Sequence, residues 1–207
     1  MIARRTLLAA AAAGGLALAL PALAEPQLGQ PAPAFTAKDA GGKTVSLAQF
    51  AGKTVVLEWT NSGCPYVGKH YNSGTMQALQ KKETADGVVW LTVASSAPDM
   101  QGYFTGRTAQ AWAAKEHWNG TAILLDGAGK IGREYGAKNT PHMFVIDKAG
   151  KVAYMGGIDD QPYDDPASLK VAKPYVALAL ADLKAGWPVA TPVSRPYGCS
   201  VKYNSAE

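Results

Sequence analysis

The sequence predicts a single α/β domain in which helices pack against a largely buried sheet. The main observation is the apolar run Thr54–Trp59, which is dense in β-branched and aromatic residues and lacks clean alternation, as expected for a strand covered on both faces. Segments with strand character and segments with helical spacing alternate after it. With 207 residues, 47% of them hydrophobic, the chain can form one well-packed domain but not two sizeable ones.

The first 24 residues have the pattern of a secretory signal peptide. Arg4 and Arg5 form a positive start, Leu7–Leu20 is apolar, and Ala22–Ala24 supplies small residues for cleavage. A permanent transmembrane helix is the alternative, but the apolar run is short for a bilayer. The paired arginines are also compatible with twin-arginine export. We therefore expect a periplasmic or secreted protein that does not span the membrane once residues 1–24 are removed.

The charge balance and the cysteine count narrow the possible functions. The formal net charge is only +4, and no basic run is interleaved with aromatic residues, so nothing indicates a nucleic-acid partner. The chain contains two cysteines, Cys64 and Cys199. In an oxidising compartment these two thiols are free to pair, whereas in the cytosol they would stay reduced.

The first part of the mature chain leads into the central strand and a long helix. Residues 25–34 are rich in proline and predict an extended lead-in. Phe35–Leu47 has two glycines between short runs, which is typical of a β-hairpin. After the central strand, a small polar turn and a proline predict a helix over about Pro65–Lys82, which the Ser73-Gly74 pair could kink.

The middle of the chain continues the alternation. Val88–Val93 and Thr121–Leu125 have strand character, and Thr108–His117 between them has helical spacing. The glycines at 127–132 match the G-x-G-x-x-G pattern of dinucleotide sites. Such a site opens a long helix, but only a short one, Ile131–Tyr135, can follow here, so we interpret the glycines as a turn.

The C-terminal part predicts a hairpin, a last helix and a tail. His142–Ile146 and Val152–Met155 flank a turn-rich link and predict a second β-hairpin. Pro174–Lys184 has apolar residues at helical spacing behind an opening proline. From about residue 186 the chain becomes rich in proline and irregular. The predicted domain therefore covers residues 35–207, including this tail.

Cys64 lies at the predicted junction between the central strand and the following helix. Pro65 fits the first turn of that helix, where its missing N–H costs nothing. The thiol would then face unpaired backbone N–H groups and the positive end of the helix dipole, which favours the nucleophilic thiolate. A buried structural cysteine is the alternative, and the Gly-Cys-Pro context favours the reactive thiol.

The string NSGCPYVGKHY at residues 61–71, with Thr140-Pro141 far downstream, resembles the thioredoxin superfamily. The string itself is similar to the peroxiredoxin-like branch, the alkyl hydroperoxide reductase/thiol-specific antioxidant (redoxin) group. The resemblance implies a thioredoxin-like three-layer α/β sandwich with an N-terminal β-hairpin and an irregular C-terminal tail, without cofactor or metal. It also implies a cis peptide bond before Pro141 and a substrate site formed by Pro65, Thr140 and Pro141.

Three charged or titratable residues near Cys64 need an interpretation. Glu58 lies inside the apolar central strand, where a carboxylate is costly to bury unless it is paired. It is either a proton acceptor for Cys64 or an acid bound by neighbouring groups. Lys69 and His70 follow Cys64 by five and six positions, which points them away from its helical face and predicts surface groups.

The sequence departs from two enzyme types of the superfamily. Val67 stands where thioredoxin-type reductants have the second cysteine of Cys-x-x-Cys, so local dithiol exchange is excluded. Asn61 stands where peroxiredoxins have a threonine, and Thr60 is one residue further back. Cys199 is then the remaining partner for Cys64, as a resolving thiol or in a bridge.

We therefore predict an exported thiol–disulfide oxidoreductase or thiol peroxidase-like antioxidant. Cys64 would be the reactive thiolate, Cys199 its partner and Glu58 a proton acceptor. The substrate would be a thiol or disulfide protein or a small peroxide, and the electron donor is unidentified. Two other interpretations stay open: a copper metallochaperone that uses Cys64, Cys199 and His142, and a redox-inactive fold with a permanent disulfide between the two cysteines.

Overall fold

The computed structural model describes residues 25–205, so the predicted signal peptide lies outside the described residues. Its nine strands are β1 Thr36–Asp39, β2 Thr44–Ser46, β3 Val55–Trp59, β4 Val89–Ala94, β5 Ala122–Leu125, β6 Asn139–Thr140, β7 His142–Ile146, β8 Val152–Gly156 and β9 Cys199–Ser200. Its five α-helices are α1 Pro65–Asn72, α2 Thr75–Ala85, α3 Gly106–Lys115, α4 Lys130–Glu134 and α5 Tyr175–Ala185. Short 3-10 helices occupy Leu47–Phe50 and Pro166–Val171.

Seven strands form one mixed sheet in the order β2-β1-β5-β4-β3-β7-β8. The central strand β3 is buried along its whole length and pairs in parallel with β4 and antiparallel with β7. One face of the sheet packs against apolar residues of α1, α2, α3 and α5, and the other against α4 and the N-terminal segment. The predicted three-layer α/β sandwich is therefore confirmed, with β3 in the middle layer.

Both predicted hairpins are present. Strands β1 and β2 pair antiparallel, and β1 extends the sheet by pairing with β5. Strands β7 and β8 pair antiparallel at the other edge. The proline-rich lead-in lies beside β8, where the Gly29 N–H donates to the Val152 carbonyl at 2.8 Å. The lead-in is thus held against the sheet.

The predicted helix after Cys64 is two helices, α1 and α2. They are separated at Ser73 and Gly74, and Gly74 adopts a φ of +77°, which favours glycine. The predicted glycine-rich turn is confirmed as well. It leads into α4, which has only five residues and is too short for a dinucleotide site.

The C-terminal tail is irregular, as predicted, except for two short pairings. One is an isolated parallel bridge between Val193 and Met155 of β8. Cys199–Ser200 forms β9, which pairs antiparallel with β6 in a separate two-stranded sheet. Between residues 25 and 205, no helix is long and apolar enough to cross a membrane.

Candidate active site

Cys64 lies at the junction of strand and helix, as predicted. Strand β3 ends at Trp59, and Cys64 is the N-cap residue of α1 with Pro65 at the first helical position. The Cys64 N–H donates to the Asn61 carbonyl at 3.0 Å, which closes the turn between strand and helix. This geometry places the thiol at the positive end of the α1 dipole. The side chain is 2% exposed.

The loop before β7 borders the thiol directly. The peptide bond between Thr140 and Pro141 is cis, as the resemblance implied. The Cys64 thiol donates to the Thr140 carbonyl oxygen, with a distance of 3.1 Å from sulfur to oxygen. Cys64 and the two residues of this bond are therefore brought together, although they are far apart in the sequence.

The C-terminal tail returns to the same place. In the pairing of β6 with β9, Thr140 stands opposite Cys199, and the Asn139 amide donates to the Gly198 carbonyl at 2.9 Å. Gly198 has a φ of +115°, and a Cβ there would collide with the Thr140 carbonyl oxygen. Only glycine lets the tail come this close, so Gly198 sets the position of Cys199.

The two cysteines lie near each other as thiols. Neither is part of a disulfide in this structure. The Cys64 thiol donates to the Thr140 carbonyl, and Cys199, opposite Thr140 in the β6–β9 pairing, packs against the buried cluster that contains Cys64. Partial burial and this neighbouring thiol raise the pKa of Cys199. Cys64 is buried beneath the tail, whereas Cys199 is partly exposed. The arrangement therefore has an inner and an outer thiol side by side.

Glu58 is buried in β3 and accepts hydrogen bonds from four side chains. The donors are Tyr71 Oη at 2.9 Å, Gln80 Nε2 at 3.0 Å, Trp90 Nε1 at 2.7 Å and Thr92 Oγ1 at 3.3 Å. Burial raises the pKa of Glu58, and these hydrogen bonds oppose the rise. Neither thiol is among its partners. The hydrogen bonds therefore favour the interpretation of Glu58 as an acid bound by its neighbours.

Lys69 and His70 are buried, so their prediction as surface groups is wrong. Their side chains are 1% and 2% exposed, respectively. They face Asp159 and Tyr197, which come from the loop after β8 and from the tail. The sequence analysis considered only the position of Lys69 and His70 relative to Cys64. Nothing in the local sequence points to partners about ninety and one hundred and thirty residues away.

Burial sets the charge states in this cluster. It lowers the pKa of Lys69, although the Asp159 carboxylate at 3.8 Å opposes the shift. Burial and the charge of Lys69 lower the pKa of His70 to about 3. His70 is therefore uncharged at neutral pH, although Asp159 lies 3.7 Å from its Nε2.

The polar residues before Cys64 are arranged differently from a peroxide-binding threonine. The Asn61 Oδ1 accepts from the Gly63 N–H at 2.9 Å, and its Nδ2 donates to the Gln101 carbonyl at 3.2 Å. Asn61 is thus occupied in holding the turn. The Thr60 hydroxyl is buried and has no hydrogen-bond partner among residues 25–205.

The three ligands suggested for copper do not assemble. His142 is 6% exposed, its Nδ1 accepts from the Lys138 N–H at 3.3 Å, and its ring packs against Phe144 at a tilt of 40° with centroids 4.7 Å apart. Within the described part of the chain, no group of three or more potential ligand side chains could hold a metal ion. The geometry therefore gives the metallochaperone interpretation no support.

Comparison with known proteins places these features in a family. The family model described as Redoxin matches residues 27–170. A thiol-disulfide oxidoreductase, ResA from Bacillus thuringiensis, is 29% identical over 126 residues, which cover 61% of this chain and 67% of that protein.

Solved structures show the same fold. A hypothetical protein from Sinorhizobium meliloti is similar with a TM-score of 0.77 and 22% identity, covering 88% of this chain and 98% of its own. Peroxidoxin BcpB from Mycobacterium tuberculosis is similar with a TM-score of 0.55 and 19% identity, covering 78% and 98%. The family match includes Cys64 and the Thr140-Pro141 loop, and it ends before the tail that carries Cys199.

Proposed function

The chain belongs to the Redoxin family of the thioredoxin superfamily, and from this premise we propose that it is an exported thiol–disulfide oxidoreductase whose reactive pair is Cys64 and Cys199. Its family makes it a thiol–disulfide oxidoreductase-like or peroxiredoxin-like enzyme. The observation that supports the choice of this pair is the pairing of β6 with β9, in which Cys199 stands opposite Thr140, the residue whose carbonyl accepts from Cys64.

Exchange begins at Cys64. Its thiolate, stabilised by the N-terminus of α1, attacks one sulfur of a substrate disulfide. A bond forms between Cys64 and that sulfur, and the other substrate sulfur leaves as a thiolate that takes up a proton. Cys199 then loses its proton and attacks the Cys64 sulfur, which releases the second substrate thiol. The substrate gains two electrons and two protons, and the protein gains a disulfide between Cys64 and Cys199.

The enzyme must then be reduced by a second dithiol, an electron donor that is unidentified. Pro65, Thr140 and Pro141 would border the bound substrate, because Pro65 follows Cys64 at the start of α1 and the Thr140 carbonyl, at the cis bond to Pro141, accepts from the Cys64 thiol. No cofactor takes part, since sulfur alone carries both electrons. We keep export as part of the proposal on the strength of the predicted signal peptide at residues 1–24.

Reduction of hydroperoxides is a second candidate function. The supporting observation is the Thr60 hydroxyl, which is buried four residues before Cys64 and has no hydrogen-bond partner in the described chain. Here the Cys64 thiolate would attack the terminal peroxide oxygen, forming a sulfenic acid and releasing water or an alcohol. Cys199 would condense with that sulfenic acid to give the same disulfide and water.

Trapping with a Cys199→Ser variant tests the proposed function. Without the second thiol, mixed disulfides on Cys64 should accumulate in the exported protein. The intact mass of that protein should correspond to a chain that begins at Glu25. The trapped partners should be released by dithiothreitol and identified by mass spectrometry. The matched Cys64→Ser variant should trap none. Equal adducts in both variants, or none in either, would contradict the proposal. Faster oxidation of the wild-type protein by hydrogen peroxide than by a disulfide would favour the second candidate.

A further inference from the structure

The tail that carries Cys199 is attached to α1 through a buried polar cluster. Tyr197, two residues before Cys199, is 8% exposed, and its hydroxyl donates to Asp159 Oδ1. Lys69 Nζ lies 3.2 Å from the same hydroxyl and His70 Nε2 also lies 3.2 Å from it. We call these four residues, Lys69, His70, Asp159 and Tyr197, the tail anchor.

The hydrogen bonds of the Tyr197 hydroxyl are complete. A phenol has one proton to donate and two lone pairs that accept. The proton goes to Asp159, one lone pair receives Lys69, and the other faces His70 Nε2, which donates to it in the tautomer that carries the proton on Nε2. Lys69 also donates to the Gln161 carbonyl at 2.7 Å, which fixes its ammonium group independently of the tail. The other three residues of the cluster therefore form a binding site for one phenol hydroxyl.

The tail anchor connects the two cysteines mechanically. Lys69 and His70 belong to α1, the helix that begins next to Cys64, whereas Tyr197 belongs to the segment that ends at Cys199. The Tyr197 ring also packs on Tyr66 with centroids 5.9 Å apart and lies 4.9 Å below the Lys69 ammonium. The segment that carries Cys199 is thus attached to α1, the same helix that begins next to Cys64.

Other contacts hold the tail on either side of this segment. Ser194 Oγ lies 2.6 Å from Tyr154 Oη, and Tyr203 Oη donates to the Ala137 carbonyl at 2.8 Å. Of the four residues between Ser194 and Cys199, Tyr197 has the one buried side chain. The position of Cys199 is therefore set by Tyr197, two residues earlier in the chain, and by the two-residue pairing of β9 with β6.

From these contacts we infer that Lys69, Asp159 and Tyr197 are positioning residues of the thiol pair, which hold the tail so that Cys199 meets Cys64. This inference rests on the proposed function, since it assigns a role in the exchange between the two cysteines. None of the three residues touches substrate in this role. They act by restricting the tail to positions near Cys64, which raises the effective concentration of Cys199 there.

The test is the equilibrium between the Cys64–Cys199 disulfide and glutathione in a Tyr197→Phe variant. Loss of the hydroxyl should loosen the tail and lower the effective concentration of Cys199 about tenfold, which raises the reduction potential by about 30 mV for a two-electron couple. The matched control is Tyr135→Phe. Its hydroxyl donates to the Pro33 carbonyl at 2.7 Å, on the opposite face of the sheet, so its equilibrium should equal that of the wild-type protein.

The outcomes separate the anchor from the function. If both Tyr→Phe variants have the wild-type equilibrium while the disulfide forms, the positioning role is overturned and the proposed function stands. If the wild-type protein forms no Cys64–Cys199 disulfide at any glutathione ratio, both fail. Should Tyr197→Phe not fold by circular dichroism, Asp159→Asn decides, because it keeps an oxygen for Tyr197 and removes the charge that binds Lys69. An unchanged equilibrium in that variant would overturn the role.

Discussion

Glu58 illustrates at the scale of one residue how a carboxylate is retained in the middle of a sheet. Burying an acid is costly unless its oxygens are hydrogen-bonded, and two of its four donors, Trp90 Nε1 and Gln80 Nε2, are N–H groups that cannot reverse direction. Both donate to Oε2, whereas Tyr71 Oη donates to Oε1, so an amide that kept its oxygen for the two N–H groups would turn its NH2 group toward the Tyr71 hydroxyl. The carboxylate is thus the group that this part of the core is built to accept.

We therefore expect Glu58→Gln to lower the free energy of unfolding by about 1–3 kcal/mol, because the buried Tyr71 hydroxyl loses its acceptor. The rate of thiol exchange at neutral pH should stay unchanged, since neither cysteine contacts Glu58. Urea unfolding and the kinetics of disulfide exchange measure the two effects. Glu25→Gln, at an exposed position, is the control for the loss of one charge. A stable Glu58→Gln protein with slowed exchange and a shifted pH profile would instead support a proton relay.

The sequence predicted Cys64 and Glu58 as notable residues because their local context is unusual. A proline after a cysteine and an acid in an apolar strand can be recognised without any tertiary information. Tyr197 and Asp159 carry no such signal, since a tyrosine in a proline-rich tail and an aspartate in a loop are ordinary. Their role comes from contacts with α1 across the fold.

At the scale of elements, β9 decides how the tail meets the rest of the protein. It has only two residues and pairs with two residues of β6. Such a short pairing has no periodicity that a sequence could reveal, whereas β3 was predictable from its apolar run. The long helix was predicted almost correctly, because Ser73-Gly74 marked the place where α1 and α2 separate.

Gly198→Ala should separate the two thiols while leaving the fold intact. The added Cβ would meet the Thr140 carbonyl oxygen in a backbone conformation that favours glycine, so β9 must move away from β6. We expect oxidised glutathione to form the Cys64–Cys199 disulfide at least about tenfold more slowly, because the effective concentration of Cys199 at Cys64 is lower. Quenched samples analysed by mass spectrometry give the rate.

Gly186→Ala is the matched control for this substitution. Gly186 also has a positive φ, of +77°, but no atom lies within 4 Å of the position of its Cβ. This variant also places a side chain at a positive φ but without the collision, and its rate of disulfide formation should match that of the wild-type protein. If Gly198→Ala formed the disulfide as fast as Gly186→Ala, the β6–β9 contact would not control the thiol pair.

At the scale of the whole molecule, two buried histidines link folding to pH. Burial, with a contribution from Lys138, lowers the pKa of His142 to about 4, and burial with the charge of Lys69 lowers that of His70 to about 3. Both would titrate near 6.5 in the unfolded chain. As the pH falls from about 6.5 toward 4, the unfolded state therefore binds protons that the folded state does not bind. Stability present at neutral pH is lost in this window.

As the pH is lowered, we expect the free energy of unfolding to decrease by at most about 1.4 kcal/mol per pH unit for each histidine. Glu58 acts in the opposite sense, because its raised pKa favours the folded state at low pH, and it reduces the net slope. Urea unfolding between pH 7 and pH 4.5 measures the slope.

A His70→Gln, His142→Gln double variant should lose most of this pH dependence. His117→Asn, at an exposed site with a φ of +52° that asparagine tolerates, should keep it. A double variant with the wild-type slope would show that neither buried ring is held uncharged by the fold.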